Sequence, residues 1–400
     1  MSALDRILVV GASLAGLRAA ERLRADGFEG TLTVLGDEPH APYDRPPLSK
    51  ELLAGTRTAA DVAFPVAPEL GVEWVLGDAA VGLDLDRRVV ATAAGEQLAF
   101  DGLVIATGSG PRRLPAFDLE LPNVFELRTL DDAAGLRAAL TANARPHLLI
   151  VGSGFIGVEV AATARELGAE VTIVSLDPPL KVAGELVSSV CAEMLADHGV
   201  RTIVGHGVAS TVESDGRLAA VVLDDGRRIE ADLCVVAAGA VPATGWLEGS
   251  GLTLDNGVLC DASLAAVGAE RVVAAGDVAR WPNPLLEGMP MRIEHWTNAV
   301  EGGAAAARTL LQGPGAETEY GTVPGFWSDH FGIRLQSVGL PVLADRFEVV
   351  DGSVAERRFA AAAYRGDLLV GCISYANPRT LVQYRLRLAR GGFMQPAPVA

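Results

Sequence analysis

The apolar positions of this chain fall in short runs separated by glycine-rich breaks. Arg6-Ile7-Leu8-Val9-Val10 is a β-branched run of the kind buried on both faces of a parallel sheet. Gly11-Ala12-Ser13-Leu14-Ala15-Gly16 follows, and a helix is predicted from there, with Leu14, Leu17 and Leu23 on one face and Gly27 as its stop. The next strand is Thr31-Leu32-Thr33-Val34-Leu35, ending at Gly36-Asp37-Glu38. The same order returns later. Leu148-Leu149-Ile150-Val151 leads into Gly152-Ser153-Gly154-Phe155-Ile156-Gly157, then a helix with Ile156, Val160, Ala164 and Leu167 on one face, then Val171-Thr172-Ile173-Val174.

Each unit is strand, glycine turn, helix, strand. The glycines permit a tight turn and let backbone approach a pyrophosphate, while the helix N-terminus supplies amide donors and the positive end of its dipole. In the first unit Ser13 stands where the middle glycine would be, and Asp37 comes about 26 positions after the first glycine, where an acid can accept ribose hydroxyls. One such loop is weak evidence; two, about 140 residues apart and each inside a whole unit, predict two dinucleotide sites. A second repeat accompanies the first. Leu103-Val104-Ile105-Ala106-Thr107-Gly108 and Cys234-Val235-Val236-Ala237-Ala238-Gly239 each fall about 90 residues after their own glycine loop. Each is expected to close its sheet and bring backbone close to a bound dinucleotide.

Composition narrows the function classes. The chain has 400 residues, half of them hydrophobic and 21% charged, enough for large cores in two or three domains. Its net charge of −17 argues against nucleic acid and against an anionic membrane surface. No apolar stretch reaches the ~18 residues a membrane span requires, and the opening Met1-Ser2-Ala3-Leu4-Asp5-Arg6 has no signal-peptide pattern. The four cysteines, Cys191, Cys234, Cys260 and Cys372, lack metal-ligand or C-x-x-C spacing. Buried, inert thiols are expected, with no metal site and a reducing, cytoplasmic setting.

At this point the chain resembles the two-dinucleotide-binding flavoprotein reductases, and more narrowly the NAD(P)H-dependent ferredoxin reductases that serve cytochrome P450s and Rieske oxygenases. The resemblance is carried by Gly11 to Gly16, Pro42-Tyr43-Asp44-Arg45-Pro46-Pro47-Leu48-Ser49-Lys50, Ala106-Thr107-Gly108, Leu127-Arg128-Thr129-Leu130 and Gly152 to Glu159. Ala275-Gly276-Asp277, Arg292-Ile293-Glu294-His295-Trp296 and Phe326-Trp327-Ser328-Asp329 extend it. It implies an α/β fold of two Rossmann-like dinucleotide-binding domains plus a C-terminal α/β domain. The FAD domain is expected over 1–112 and 240–315, the NAD(P) domain over 113–239 and the last domain over 316–400. Within that last domain, strands are read at Arg334 to Val338, Phe347 to Val350 and Leu368 to Ile373, then a basic helix and a loosely held tail from Gly391.

The resemblance also implies roles. Gly11, Ser13, Leu14, Ala15 and Gly16 would meet the FAD pyrophosphate, Asp37 the adenosine side, with Glu38 next for the ribose, and Val81 the adenine. Arg45 and Arg128 lie on the phosphate side, and Ala106, Thr107, Gly108, Gly239 and Gly276 bring backbone near. Asp277 would bind the ribityl or pyrophosphate segment, and His295 and Trp296 would line the flavin. Lys50 would sit near flavin N5. Gly152, Gly154, Phe155, Ile156 and Gly157 would hold NADH or NADPH, and Glu159 would line the nicotinamide pocket and pair with Lys50.

The residues alone leave several of these open. Lys50 follows Pro46-Pro47, which stiffens the backbone, so it reads as a fixed cation beside a reduced flavin or as a surface lysine after a turn. Asp277 ends a buried strand or caps a helix. Glu159 serves a ligand or complements the helix dipole. His295 reads as a packed, hydrogen-bonded histidine, because hydride transfer needs no protein base. Ser175 stands where NADH-preferring relatives have an acid; Asp177 could substitute for that acid, or Lys181 for a 2′-phosphate-binding base, so nicotinamide preference stays open.

The expected reaction is hydride transfer from nicotinamide to flavin, then single-electron release to a [2Fe–2S] ferredoxin, by a monomer or homodimer. Arg379, Arg385, Arg387 and Arg390 form one dense basic run, either a docking patch or a solvated helix face. A reductase of rubredoxin, quinone or another small acceptor shares these motifs. A flavin monooxygenase would need oxygen activation and a substrate pocket, and a non-catalytic redox sensor would use its dinucleotide structurally.

Overall fold

The computed structural model describes residues 4–313 and 318–391. The strand Arg6–Val10 lies near the middle of a five-stranded parallel sheet. Thr31–Gly36 and then Val72–Leu76 flank it on one side, Gly102–Ile105 and then Val272–Ala274 on the other. Ile7, Leu8, Val9 and Val10 are all buried, as a run covered on both faces must be. A second five-stranded parallel sheet repeats the plan. His147–Val151 lies at its centre, Glu170–Ser175 and Arg201–Val204 on one side, Leu233–Val236 and Val124–Phe125 on the other. Each parallel sheet has a three-stranded antiparallel companion, of Ala80–Asp84, Val89–Thr92 and Gln97–Ala99 in the first half and Val208–Ser214, Arg217–Leu223 and Arg228–Glu230 in the second.

One expectation is corrected. Gly102–Ile105 and Leu233–Val236 do not close their sheets; each lies one strand in from the edge. The outermost strands on that side are Val272–Ala274, which falls within the buried strand expected before Asp277, and Val124–Phe125, whose two residues are too few to announce themselves by hydrophobic pattern. The consequence expected of the repeat is nevertheless present twice. A Cβ on Gly11 (φ +120°) would overlap the Ala106 carbonyl oxygen, and one on Gly152 (φ +109°) would overlap that of Ala237. In each half, the turn after the inner strand is pressed against the first glycine of the loop.

The helix Leu14–Ala25 packs along the helix Trp296–Gln312, and a side chain on Gly303 would strike the Ala15 carbonyl oxygen. That close crossing sets the middle of the later helix against the first glycine loop. The helix Phe155–Glu166 buries Val160 and Ala164, but Ile156 departs from the expected apolar face and is 42% exposed. It occupies the first turn, at the open mouth of the loop rather than over the sheet.

The C-terminal part is a five-stranded antiparallel sheet in the order Gly325–His330, Ile333–Gly339, Leu368–Tyr375, Arg358–Arg365, Arg346–Ser353, with the helix Leu381–Gly391 packed on it. Gly391 ends that helix, so the expected tail begins later, and its remaining residues lie outside the described ones, as does the expected boundary at 315/316. All four cysteines are buried and free. Desolvation pushes the thiols of Cys191, Cys260 and Cys372 up to about 12 and that of Cys234 higher still, so none offers a thiolate. No helix among the described residues is long and apolar enough to cross a membrane.

Candidate functional site

The first glycine loop is shaped by its neighbours. Gly11 N–H donates to the Leu35 carbonyl, and a Cβ on Gly16 would overlap the Gly11 carbonyl oxygen. Leu14 and Ala15 are buried at the start of the helix. Arg45 gathers the surrounding groups. Its Nη2 lies 2.5 Å from Glu38 Oε1, its Nη1 donates to the Arg128 carbonyl at 2.6 Å, and its Nε donates to Ser13 Oγ at 3.3 Å. Tyr43 Oη donates to Glu38 Oε2 at 2.5 Å, and burial raises that phenol well above its ordinary value. Glu38 is therefore held inward by Arg45 and Tyr43. Asp37 is exposed and makes no ion pair among the described residues, and Val81, on the strand Ala80–Asp84, is 55% exposed.

At the centre lies a buried ionic knot. Lys50 Nζ is 2.6 Å from Glu159 Oε2, Ser49 Oγ donates to that same oxygen at 2.5 Å, and Ser328 Oγ donates to Glu159 Oε1 at 2.7 Å. Thr163 Oγ1, one helical turn beyond Glu159, donates to the Ser49 carbonyl at 2.8 Å. The short 3₁₀ turn Pro46–Ser49, started by two prolines, delivers Lys50 to this point. Three segments remote in sequence thus meet on one carboxylate, so the helix-dipole reading of Glu159 does not describe it.

Asp277 sits in a 3₁₀ turn, Gly276–Val278, just beyond the strand Val272–Ala274. Its Oδ2 accepts from Ser109 Oγ at 2.9 Å and lies 3.6 Å from Arg128 Nη2. Desolvation, and then Arg45 nearby, hold the Arg128 guanidinium below its usual value. A Cβ on Gly108 (φ +68°) would stand 3.7 Å from Arg128 Nη2, and one on Gly239 (φ +96°) would face open space. Trp296 Nε1 donates to Asp44 Oδ1 at 2.8 Å, and desolvation raises the Asp44 carboxyl although that bond opposes it. His295 departs from the hydrogen-bonded histidine expected. Its Nδ1 is buried without a partner, as is Arg292 Nε, and burial pushes the imidazole down to about 4.

In the second loop, Gly154 (φ −72°) has nothing within 4 Å of where a Cβ would stand, while a Cβ on Gly157 would overlap the Gly152 carbonyl oxygen. Phe155 packs against Phe326 at 4.5 Å between centroids, and Phe326 in turn meets His295 at 5.5 Å. Ser153 Oγ lies 2.8 Å from Ser175 Oγ, and Asp177 and Lys181 pair with each other at 2.5 Å.

These residues fit the two dinucleotides their pattern predicts. The loops bring backbone against backbone at Gly11 and Gly152, open space lies beside Gly154 and Gly239, and buried polar nitrogens at His295 and Arg292 lack partners. Ser49, Ser109, Ser153, Ser328 and Asp44 join the cluster without having been singled out. Ser49, Asp44, Ser153 and Ser328 lay within quoted motifs, but a serine's hydroxyl partner is set by tertiary contact. The basic run divides. Arg385 pairs with Glu301 at 3.2 Å and Arg387 lies 5.1 Å over the Tyr384 ring, whereas Arg379 and Arg390 are exposed.

A family model described as pyridine nucleotide-disulphide oxidoreductase matches residues 5–303, and one described as reductase C-terminal matches residues 325–400. The chain belongs to the pyridine nucleotide-disulphide oxidoreductase family. It is 36% identical over 388 residues to rhodocoxin reductase of Rhodococcus erythropolis, covering 96% of this chain and 89% of that protein. It is 38% identical over 342 residues to the biphenyl dioxygenase system ferredoxin–NAD(+) reductase component of Paraburkholderia xenovorans, covering 84% and 81%. The ferredoxin reductase for the CYP199A2 system from Rhodopseudomonas palustris superposes with a TM-score of 0.91 at 32% identity, covering 98% of this chain and 96% of that one.

Proposed function

We propose that this chain is an FAD-dependent NAD(P)H:ferredoxin oxidoreductase that passes electrons to a [2Fe–2S] ferredoxin serving a cytochrome P450 or a Rieske oxygenase, in the cytoplasm. The observation that carries the reading is the Lys50–Glu159 knot together with two matched glycine loops. Bound FAD supplies the chemistry, since it accepts two electrons together and releases them singly.

The protein's part is binding and electrostatics. The first loop and the helix behind it hold the pyrophosphate, with Arg128 turned to its charge and Asp37 to the adenosine ribose. Asp277, His295 and Trp296 line the flavin, and Lys50 places a fixed positive charge beside it. The second loop holds the nicotinamide dinucleotide, and Glu159 orients Lys50 while walling the nicotinamide side. The chain divides accordingly into an FAD-binding unit of 1–112 and 240–315, a nicotinamide-binding unit of 113–239 and a C-terminal unit of 316–400.

The docking surface for an acidic ferredoxin is the outer face of the helix Leu381–Gly391, where Val382 and Leu386 are exposed between Arg379 and Arg390. The test is acceptor choice by purified holoprotein with excess NADH. Fast reduction of a [2Fe–2S] ferredoxin, and slow reduction of rubredoxin and quinone, is the expected result. The reverse order would replace ferredoxin with another acceptor.

A further inference from the structure

This inference rests on the reading that the second glycine loop receives the nicotinamide dinucleotide. The strand Glu170–Ser175 ends where an acid would read a ribose 2′-hydroxyl, and the chain has a serine there. The turn that follows is tied to the glycine loop. Ser153 Oγ donates to the Asp177 carbonyl at 3.0 Å and lies 2.8 Å from Ser175 Oγ, and Leu180 N–H donates to the Ser153 carbonyl at 2.9 Å. Pro178 and Pro179 stiffen the turn between them. It therefore presents Asp177 and Lys181 in a set place, exposed, with Lys181 Nζ 2.5 Å from Asp177 Oδ1.

The adjoining loop adds no free cation. Gly205 N–H donates to the Ser175 carbonyl at 2.9 Å, which fixes the loop Gly205–Gly207 beside this edge. His206 Nδ1 lies 2.8 Å from Asp224 and 3.4 Å from Asp225, and Arg227 pairs with Asp225 at 2.6 Å. Among the described residues of these two loops and the Asp224–Arg227 turn, every cation already faces a carboxylate. The three carboxylates Asp177, Asp224 and Asp225 outnumber the two permanent cations Lys181 and Arg227.

A 2′-phosphate brings nearly two negative charges and needs a cation that is not already neutralised. We infer that the Asp177–Lys181 pair makes this site select NADH over NADPH. Asp177 cancels the one lysine on the turn that could meet a 2′-phosphate, while the Ser175 hydroxyl remains able to bond a 2′-hydroxyl. Selection thus rests on a neutralised base two to six residues beyond the strand end, and no acid is needed at the end itself.

The test is calorimetric binding of NAD+ and NADP+ to oxidised, FAD-loaded protein, for the natural chain, Asp177→Ala, and Asp177→Ala combined with Lys181→Ala. The natural chain is expected to bind NAD+ more tightly. Asp177→Ala should tighten NADP+ by about tenfold relative to NAD+, the scale of one exposed unit charge acting on a nearby dianion. The double variant should lose that gain, because the freed lysine is what produces it. Tighter binding of NADP+ by the natural chain, or an unchanged ratio in Asp177→Ala, would overturn the selection mechanism while leaving the nucleotide site in place. Binding of neither nucleotide would overturn that mechanism together with the reading on which it rests.

Discussion

Lys50 and Glu159 stand 109 positions apart in the sequence and 2.6 Å apart in the fold. The lysine side chain is 15% exposed and the carboxylate 7%, so the pair is largely removed from water. Two buried charges recover their desolvation cost only when the geometry is good and the remaining acceptor positions are filled. Here Ser49 and Ser328 fill them. The pair also joins the helix Phe155–Glu166, the proline-rich loop and the first strand of the C-terminal sheet at one point.

Removing both partners should therefore cost less than the two single removals added together. Glu159→Ala, which strands the lysine, is expected to lower unfolding stability by about 3 kcal/mol, and Lys50→Met combined with Glu159→Ala by clearly less than the sum of the single changes. Urea denaturation of the four proteins checks this. Additive losses would mean that the two groups do not interact.

The glycine loops can be told apart by substitution. Gly11 has φ +120° and no room for a Cβ, so Gly11→Ala should lose FAD, seen as loss of the flavin bands at unchanged protein concentration. Gly154 has φ −72° and open space beside it, so Gly154→Ala should fold and keep FAD. Its methyl would occupy the approach of a pyrophosphate, and NAD+ binding should weaken about tenfold or more. Retention of full NAD+ affinity would move the nucleotide elsewhere.

His330 provides a pH signature. It is 2% exposed, its Nε2 lies 3.1 Å from Tyr375 Oη, and its Nδ1 has no partner. Desolvation, with Lys50 adding to it and Asp329 opposing, pushes its pKa from 6.5 down to about 4. The folded state thus holds His330 neutral while the unfolded chain takes up the proton first as pH falls. Its contribution is whole above pH 6.5, declines between 6.5 and 4, and amounts to about 3 kcal/mol lost below that. His330→Gln should flatten the fall of unfolding free energy across that window. Superimposable profiles would contradict the assignment.

At the C-terminal helix, Arg379→Glu with Arg390→Glu should raise the KM for ferredoxin about tenfold at low ionic strength, a difference that fades as salt screens it. Arg385→Glu acts differently, since it sets a carboxylate against Glu301 and should loosen the helix itself. Thermal melting beside ferredoxin kinetics separates the two effects. A KM unchanged by the paired substitution would remove this helix face from docking.

Both parallel sheets were legible because their strands are β-branched runs bounded by glycine, and because the second unit repeats the first. What escaped was local in a different way. Arg358–Arg365 is a strand built on four consecutive alanines, which carry little strand propensity and are ordered here by burial between neighbouring strands. Val124–Phe125 was too short to read as the outer strand it forms, and Val272–Ala274, expected as a strand before Asp277, carries no sign in its sequence of the sheet edge it takes. At the site, the glycine loops were readable from motif and spacing, whereas the pairing of Glu159 with Lys50 was expected only from the resemblance. The partnership of Ser49 and Ser328 with Glu159 depends on two chain segments folding onto a third, which no periodicity records. Arg385 belonged to a run of like charge in sequence, yet Glu301, 84 residues away, claims it in space.

The central claim is that electrons enter from reduced nicotinamide and leave one at a time to a ferredoxin. It is tested most directly by anaerobic stopped-flow mixing of the FAD-loaded protein with NADH, followed by mixing with an oxidised [2Fe–2S] ferredoxin. Fast bleaching of the flavin absorbance, then its recovery in step with ferredoxin reduction, is the predicted result. Fast bleaching without transfer would contradict the ferredoxin assignment, and no bleaching with either NADH or NADPH would contradict the catalytic account as a whole.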